Sequence, residues 1–264
     1  MTPSKDPEND FPWWLLATVG LGLFFLFRIL SDDLHHQILM TLSKGIKITM
    51  FVTVVGFAMA SVLGLLLALG AGSRFVIVRQ LVRFYVEIVR GVPMIVLLLY
   101  VAFVLAPGLV ALVNWAADAL GLSPMRTRDF SLMWRAVIAL MIGYSAFISE
   151  VFRAGLQSVD VGQIEAAKSL GLSNWQRFRL VVFPQAIRTI LPPLGNDFIA
   201  MVKDSSLVSV LGVLDVTQLG KVTSAGNFRY FETYNVVALI YLTMTVGLSL
   251  ALRRLEKKLR TNKH

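Results

Sequence analysis

Four polar residues in an otherwise apolar stretch carry the first chemical signal. Within Leu191-Pro-Pro-Leu-Gly-Asn-Asp-Phe-Ile-Ala-Met-Val-Lys-Asp-Ser-Ser, the side chains of Asn196, Asp197, Lys203 and Asp204 offer hydrogen bonds and charge of both signs. Asp197 and Asp204 lie two helical turns apart and therefore share a face. Ionisable groups at membrane depth are expensive and face a cavity or a partner. Two readings follow. Either these groups line a path for a polar cargo, or Lys203 and Asp204 sit near an outer interface and pair or snorkel while Asp197 bonds a neighbouring helix. A second charged set is Glu150 with Arg153, three apart on one helical face, and Glu87 with Arg90. These four suit a structural lock or a gate salt bridge.

Other chemistries find no footing. The phosphate-cradling pattern Gly-x4-Gly-Lys-Ser/Thr is missing, since Gly70-Ala-Gly-Ser-Arg lacks both the lysine and the spacing. No ATP site of that kind is expected on this chain. Cysteine is absent, and His35, His36 and His264 make no plausible metal set, because a site needs three or four converging ligands. The adjacent His35-His36, with Asp32 and Asp33, reads as part of a solvated loop. No embedded nucleophile or acid dyad of a membrane enzyme stands out.

The elements that must position these residues are membrane helices. Of 264 residues, 56% are hydrophobic and only 16% charged, with mean hydropathy +0.70, against roughly 25% charged for soluble domains. The fold class expected is all-α, a polytopic helix bundle of about six spans near 13–30, 46–70, 92–106, 133–151, 187–213 and 235–252. Trp13 and Trp14 would mark an interface. The third span would extend an amphipathic stretch from Leu81 and end at Pro107-Gly108, with 110–120 a short helix on the outer face. Pro192, Pro193 and Gly195 would interrupt the fifth. The net charge of +9 invites a nucleic-acid hypothesis, but the basic residues gather in connections. Arg74, Arg79, Arg83 and Arg90, then Lys168, Arg177, Arg179 and Arg188, then Arg253, Arg254, Lys257, Lys258 and Arg260 fall on one side of a six-span chain. That side is the cytoplasm by the positive-inside rule, which makes both termini cytoplasmic.

Between spans four and five, the sequence predicts two short helices. Asp160 caps the first, with Gln163 reaching back, Glu165-Ala166-Ala167 forms its body, and Gly171 supplies the left-handed residue that ends it. Ser173 with Gln176 caps the second, which runs through Trp175, Phe178 and Leu180 toward Pro184. A mere connection could be far shorter, so this knob is expected to dock onto something. Taken alone, Ala-Ala is also just a good helix-forming pair and Gly171 an ordinary cap.

This loop resembles the signature of bacterial binding-protein-dependent ABC importer permeases. Glu165, Ala166, Ala167, Gly171 and Pro184 match its spacing, with Val181 and Phe183 standing in for its Ile and Leu. Glu87-Ile-Val-Arg-Gly-Val-Pro-Met, Ala146-Phe-Ile-Ser-Glu-Val-Phe-Arg-Ala-Gly and Lys203-Asp-Ser-Ser-Leu-Val-Ser-Val-Leu-Gly extend the likeness to the polar amino-acid branch, with Phe147 replacing a frequent tyrosine. The resemblance covers about 44–255, leaving 1–43 as an extra helix with an outer loop and 256–264 as a basic cytoplasmic tail. It implies a bacterial inner-membrane permease that translocates polar amino acids from an extracytoplasmic binding protein. Its partners would be an identical or homologous permease, the lipid bilayer and an ATPase dimer holding ATP and Mg, with no cofactor on this chain itself and no nucleic acid. Gln163, Glu165, Ala166, Ala167 and Gly171 would couple to the ATPase. A substrate ammonium would meet Asp197 or Asp204, and Lys203 would attract its carboxylate. The competing class is an ion-coupled secondary transporter or channel, which would favour internal repeats with matched broken helices; the chain has one interrupted span and no convincing repeat.

Overall fold

The computed structural model describes residues 13–121 and 123–261. The α-helices are α1 (Trp13–Ser31), α2 (Asp33–Ala71), α3 (Val76–Gly91), α4 (Met94–Tyr100), α5 (Ala106–Ala119), α6 (Leu132–Gln157), α7 (Val161–Ser169), α8 (Asn174–Arg177), α9 (Phe183–Asp204), α10 (Val216–Asn227) and α11 (Tyr230–Thr261). There is no strand among the described residues. Among the described residues, four helical stretches are long and apolar enough to cross a membrane: Asp33–Ala71, Met94–Ala119, Leu132–Gln157 and Tyr230–Lys257. The predicted first span is helical as α1, with Trp13 exposed and the Trp14 side chain outside the described residues. The predicted fifth span is helical as α9, but Arg188, Asn196, Asp197, Lys203 and Asp204 make it too polar to join the four.

Two prolines expected to end helices do not. Pro107 and Pro184 each stand second in a helix, α5 and α9, immediately after a five-residue π turn, Val101–Leu105 and Phe178–Val182. A proline ring collides with the carbonyl four residues back in a regular α-helix. The wider π turn relieves that collision and lets the rod continue. Residues 94–119 are thus one membrane-length rod rather than a span and an outer helix, and α8 runs on into α9 instead of stopping at Pro184. Conversely, the expected continuous run from Leu81 into span three is broken. Val92 is extended (φ −98°, ψ 130°), as a residue before proline prefers, and α4 begins after Pro93.

Helix α9 also runs unbroken through Pro192 and Pro193. Its interruption comes later, where the helix tightens to a 3-10 turn at Ser205–Leu211 and ends at Gly212 (φ +79°). Helix α2 begins at Asp33, capped by Asp32, so the His35-His36 pair is helical rather than a loop; His35 is buried and its Nδ1 lies 2.6 Å from Asp32 Oδ2. Helices α2 and α11 run unbroken across residues 43–44 and 255–256.

The core lies where α2, α4, α6 and α9 meet, around Val52, Leu98, Leu140, Ile148 and Met201, all less than 2% exposed. Helices α6 and α9 approach closely at Gly155, where a Cβ would lie 2.2 Å from Ile190 Cγ1. This proximity fixes the two helices that carry Glu150, Arg153, Asn196, Asp197, Lys203 and Asp204.

Candidate functional site

Asp197 and Asp204 do share a face, and α6 lies opposite them. Together with Tyr144, Phe147, Gly143, Val89, Val92, Met94, Leu97 and Ala200 they line a pocket of about 260 Å³. Tyr144 Oη donates a 2.8 Å hydrogen bond to Asp204 Oδ2. Tyr144 stands midway along α6, so Asp204 sits at the middle of that helix rather than at an outer end. Asp197 Oδ2 is buried with no hydrogen-bond partner among the described residues. Two carboxylates and a phenol on apolar walls attract a cationic or hydrogen-bond-donating group, and the Tyr144 and Phe147 rings, 6.4 Å apart, add faces that favour a cation.

Asn196 and Lys203 are not part of this lining. Both are exposed on a different side of α9. Glu87, Arg90, Glu150 and Arg153 are brought together in a separate cavity of about 640 Å³ between α2, α3 and α6. There Arg153 Nε donates to Glu150 Oε2 at 3.1 Å, and its Nη2 approaches the same oxygen. Arg90 instead lies over the Phe147 ring, 5.6 Å from its centroid.

The loop between α6 and α9 folds as a doubly capped knob. Asp160 accepts from the Gly162 and Gln163 amides at 2.7 and 3.3 Å. Gln163 does not reach back to the cap; its Oε1 accepts a 2.6 Å bond from Gln185 Nε2 and ties α7 to α9. At the other end Gly171 is left-handed (φ +79°), with Leu172 N donating to Ala167 O and Gly171 N to Lys168 O. These two bonds close the helix as a Schellman motif. Ser173 and Gln176 form the reciprocal capping box, at 3.3 and 2.9 Å. Glu165 and Ala166 are exposed, with Leu170 and Trp175 beside them 81% and 67% exposed. Ala167 is buried against its own chain, so it fixes the knob from within and is not on the surface offered to a partner.

The family follows from comparison with known proteins. Residues 60–261 match the model of the binding-protein-dependent transport system inner membrane component. This chain belongs to that family. It is 35% identical over 221 residues to the glutamine transport system permease protein of Escherichia coli (strain K12), covering 83% of this chain and 93% of the relative. It is 31% identical over 219 residues to the arginine transport system permease protein of Bacillus subtilis (strain 168), covering 83% and 92%. Among solved structures, a crystal structure of an amino acid ABC transporter with histidines matches with TM-score 0.69 and 34% identity, over 83% of this chain and 94% of that one. This permease is therefore a multi-pass inner-membrane protein, the membrane-spanning subunit of an ATP-driven importer, whose family works with an ATPase and a binding protein.

Sequence reasoning missed Tyr144 and two supporting clusters. Asp215, fully buried, caps α10 through the Gln218 amide at 2.8 Å and accepts 3.0 Å from Tyr241 Oη. The spacing Asp215-x-x-Gln218 is a helix-start signal that was available in the sequence. Arg135, also buried, donates to the carbonyls of Phe130 and Ala102 at 2.9 Å and to that of Thr127. It thereby satisfies a carbonyl within the Val101–Leu105 π turn. No local pattern marks Arg135. Among the described residues no group of three or more potential ligands is placed to hold a metal.

Proposed function

We propose that this permease carries polar amino acids, those with a cationic or amide side chain, from an extracytoplasmic binding protein to the cytoplasm through the Tyr144, Asp197 and Asp204 pocket. The carrying observation is mechanical. The pocket's two carboxylates stand on α9 and its phenol on α6, while α3 and α4 complete the apolar lining through Val89, Met94 and Leu97, and the exposed knob at 160–176 joins α6 to α9. A displacement of the knob therefore reaches all three polar groups at once. The glutamine and arginine permeases among its relatives support the substrate class.

In this reading the knob end and the C-terminus are cytoplasmic, in line with the basic residues gathered there, and the N-terminus is placed on the same side. Glu165, Ala166 and the apolar Leu170 and Trp175 seat in a cleft of a separate ATPase, which holds ATP and Mg, while Gln163 and Ala167 brace the knob. The chain has no ATPase activity of its own, and a second permease, identical or homologous, completes the membrane unit.

The test is reconstitution in proteoliposomes with the ATPase and the binding protein. ATP-dependent uptake of L-arginine or L-glutamine is expected, lost when the ATPase is omitted and strongly reduced by Glu165→Arg. Uptake that persists without the ATPase would make the chain a secondary transporter. Uptake of acidic amino acids alone would remove the assigned role of Asp197 and Asp204.

A further inference from the structure

The larger cavity, about 640 Å³, has a lining too charged to face lipid and too open to be packing. Its cations are Arg79, Arg83, Arg90 and Arg153, and its anions Glu87 and Glu150. Three of these six are already engaged. Glu150 is held by Arg153, whose Nη1 also donates to Gln157 at 3.0 Å. Arg79 donates to the carbonyls of Ser73 and Arg74 at 2.8 and 3.1 Å. Arg83, Glu87 and Arg90 remain, and among the described residues their charged groups have no hydrogen bond or ion pair. They follow one another on α3 at spacings of four and three, so they form one stripe with the order positive, negative, positive.

That order suits a zwitterion. Neighbouring side chains on such a stripe start about 5–6 Å apart, close enough for one amino-acid head group to touch two of them. The stripe also adjoins the smaller pocket. Arg90 rests on Phe147, and Phe147, Val89 and Val92 all line the Tyr144 pocket. The Arg90–Phe147 contact is therefore the boundary between the two cavities.

We propose that the larger cavity is a second amino-acid site, in which Arg90 takes the α-carboxylate and Glu87 the α-ammonium of cargo that has left the Tyr144 pocket on the knob side. Arg83 supports the same carboxylate or a polar side chain. The two sites read different parts of the cargo: the carboxylates of the Tyr144 pocket read a cationic or donor group, and the α3 stripe reads the head group common to all amino acids. This inference rests on the reading that the cargo is an amino acid.

The test is equilibrium binding of tritiated L-arginine and L-glutamine to the nucleotide-free permease–ATPase complex in lipid nanodiscs, with uptake measured in parallel. Two classes of site per permease are expected. Arg90→Gln should abolish one class and leave the other at full occupancy, which also shows that the variant is folded. Asp197→Asn should abolish the complementary class for L-arginine and weaken it for L-glutamine, and Arg90→Lys should weaken the Arg90 class by about tenfold without removing it, since a lysine keeps the charge and loses the two-pronged geometry. The second site is overturned if Arg90→Gln binds like the parent, if it loses both classes together, or if the parent shows a single class removed by Asp197→Asn. A parent complex that imports neither amino acid overturns the amino-acid reading itself. Intact uptake with unchanged Arg90→Gln binding removes only the second site.

Discussion

At the scale of the residue, the pocket is defined by what Tyr144 adds to the two aspartates. Asp197 and Asp204 were legible from their spacing, because two turns of helix put them on one face whatever else the fold does. Their depth was not legible, since it depends on which residue of α6 stands opposite, and Tyr144 gives no periodic signal of its own. The hydrogen bond from Tyr144 to Asp204 orients that carboxylate into the pocket. Tyr144→Phe keeps the ring and removes the donor. A hydrogen bond to a charged group is worth about 1.5–3 kcal/mol, so uptake at subsaturating cargo should fall by about tenfold or more. The measurement is initial-rate uptake in the reconstituted system, and a rate within twofold of the parent would show that Asp204 is oriented by something else. Asp197→Asn keeps the shape and removes the charge. It should reduce uptake of L-arginine more than that of L-glutamine, and equal losses for the two would count against a charge-reading role.

At the scale of the element, the capping residues were read correctly at Asp160, Gly171, Ser173 and Gln176 because caps are local chemistry written within four residues. The prolines were misread for the opposite reason. Before Ala106-Pro107 and Phe183-Pro184 the preceding turn widens and the helix continues, while α9 carries Pro192 and Pro193 with no such turn, so the outcome is set by packing rather than by neighbours in sequence. Two glycines in this region separate stability from coupling. At Gly155 a Cβ would meet Ile190 at 2.2 Å, so Gly155→Ala must push α6 from α9 and should destabilise the permease by about 1–3 kcal/mol. At Gly171 there is open space for a Cβ, and only the left-handed backbone objects, at about 1–2 kcal/mol. That strain falls on the exposed knob rather than on the bundle. Gly171→Ala should therefore leave the thermal transition of the detergent-solubilised permease within a few degrees of the parent while lowering ATP-driven uptake per ATP hydrolysed. A large drop in thermal stability for Gly171→Ala, with coupling intact, would reverse these assignments.

At the scale of the whole molecule, the decisive feature is a polar face left exposed among the described residues. Lys203 immediately precedes Asp204, which is level with the middle of α6, yet Lys203 is exposed, and Asn196 lies two turns before it on the same side of α9. A lysine at that depth cannot face acyl chains without a penalty of about 2.5 kcal/mol or more. Either water in the transport path or a second permease must cover this side of the helix. By contrast, Phe103 and Leu112 on the 94–119 rod are 58% and 60% exposed and have the apolar character of a lipid-facing surface. The chain contains no cysteine, so single substitutions report without a background. In membranes, Lys203→Cys and Asn196→Cys should react with a membrane-impermeant maleimide or form a disulfide-linked permease dimer on oxidation. Phe103→Cys and Leu112→Cys should do neither. Equal reactivity at all four positions, or none at any, would mean that α9 does not border the path, and the pocket on its other face would lose its route to water.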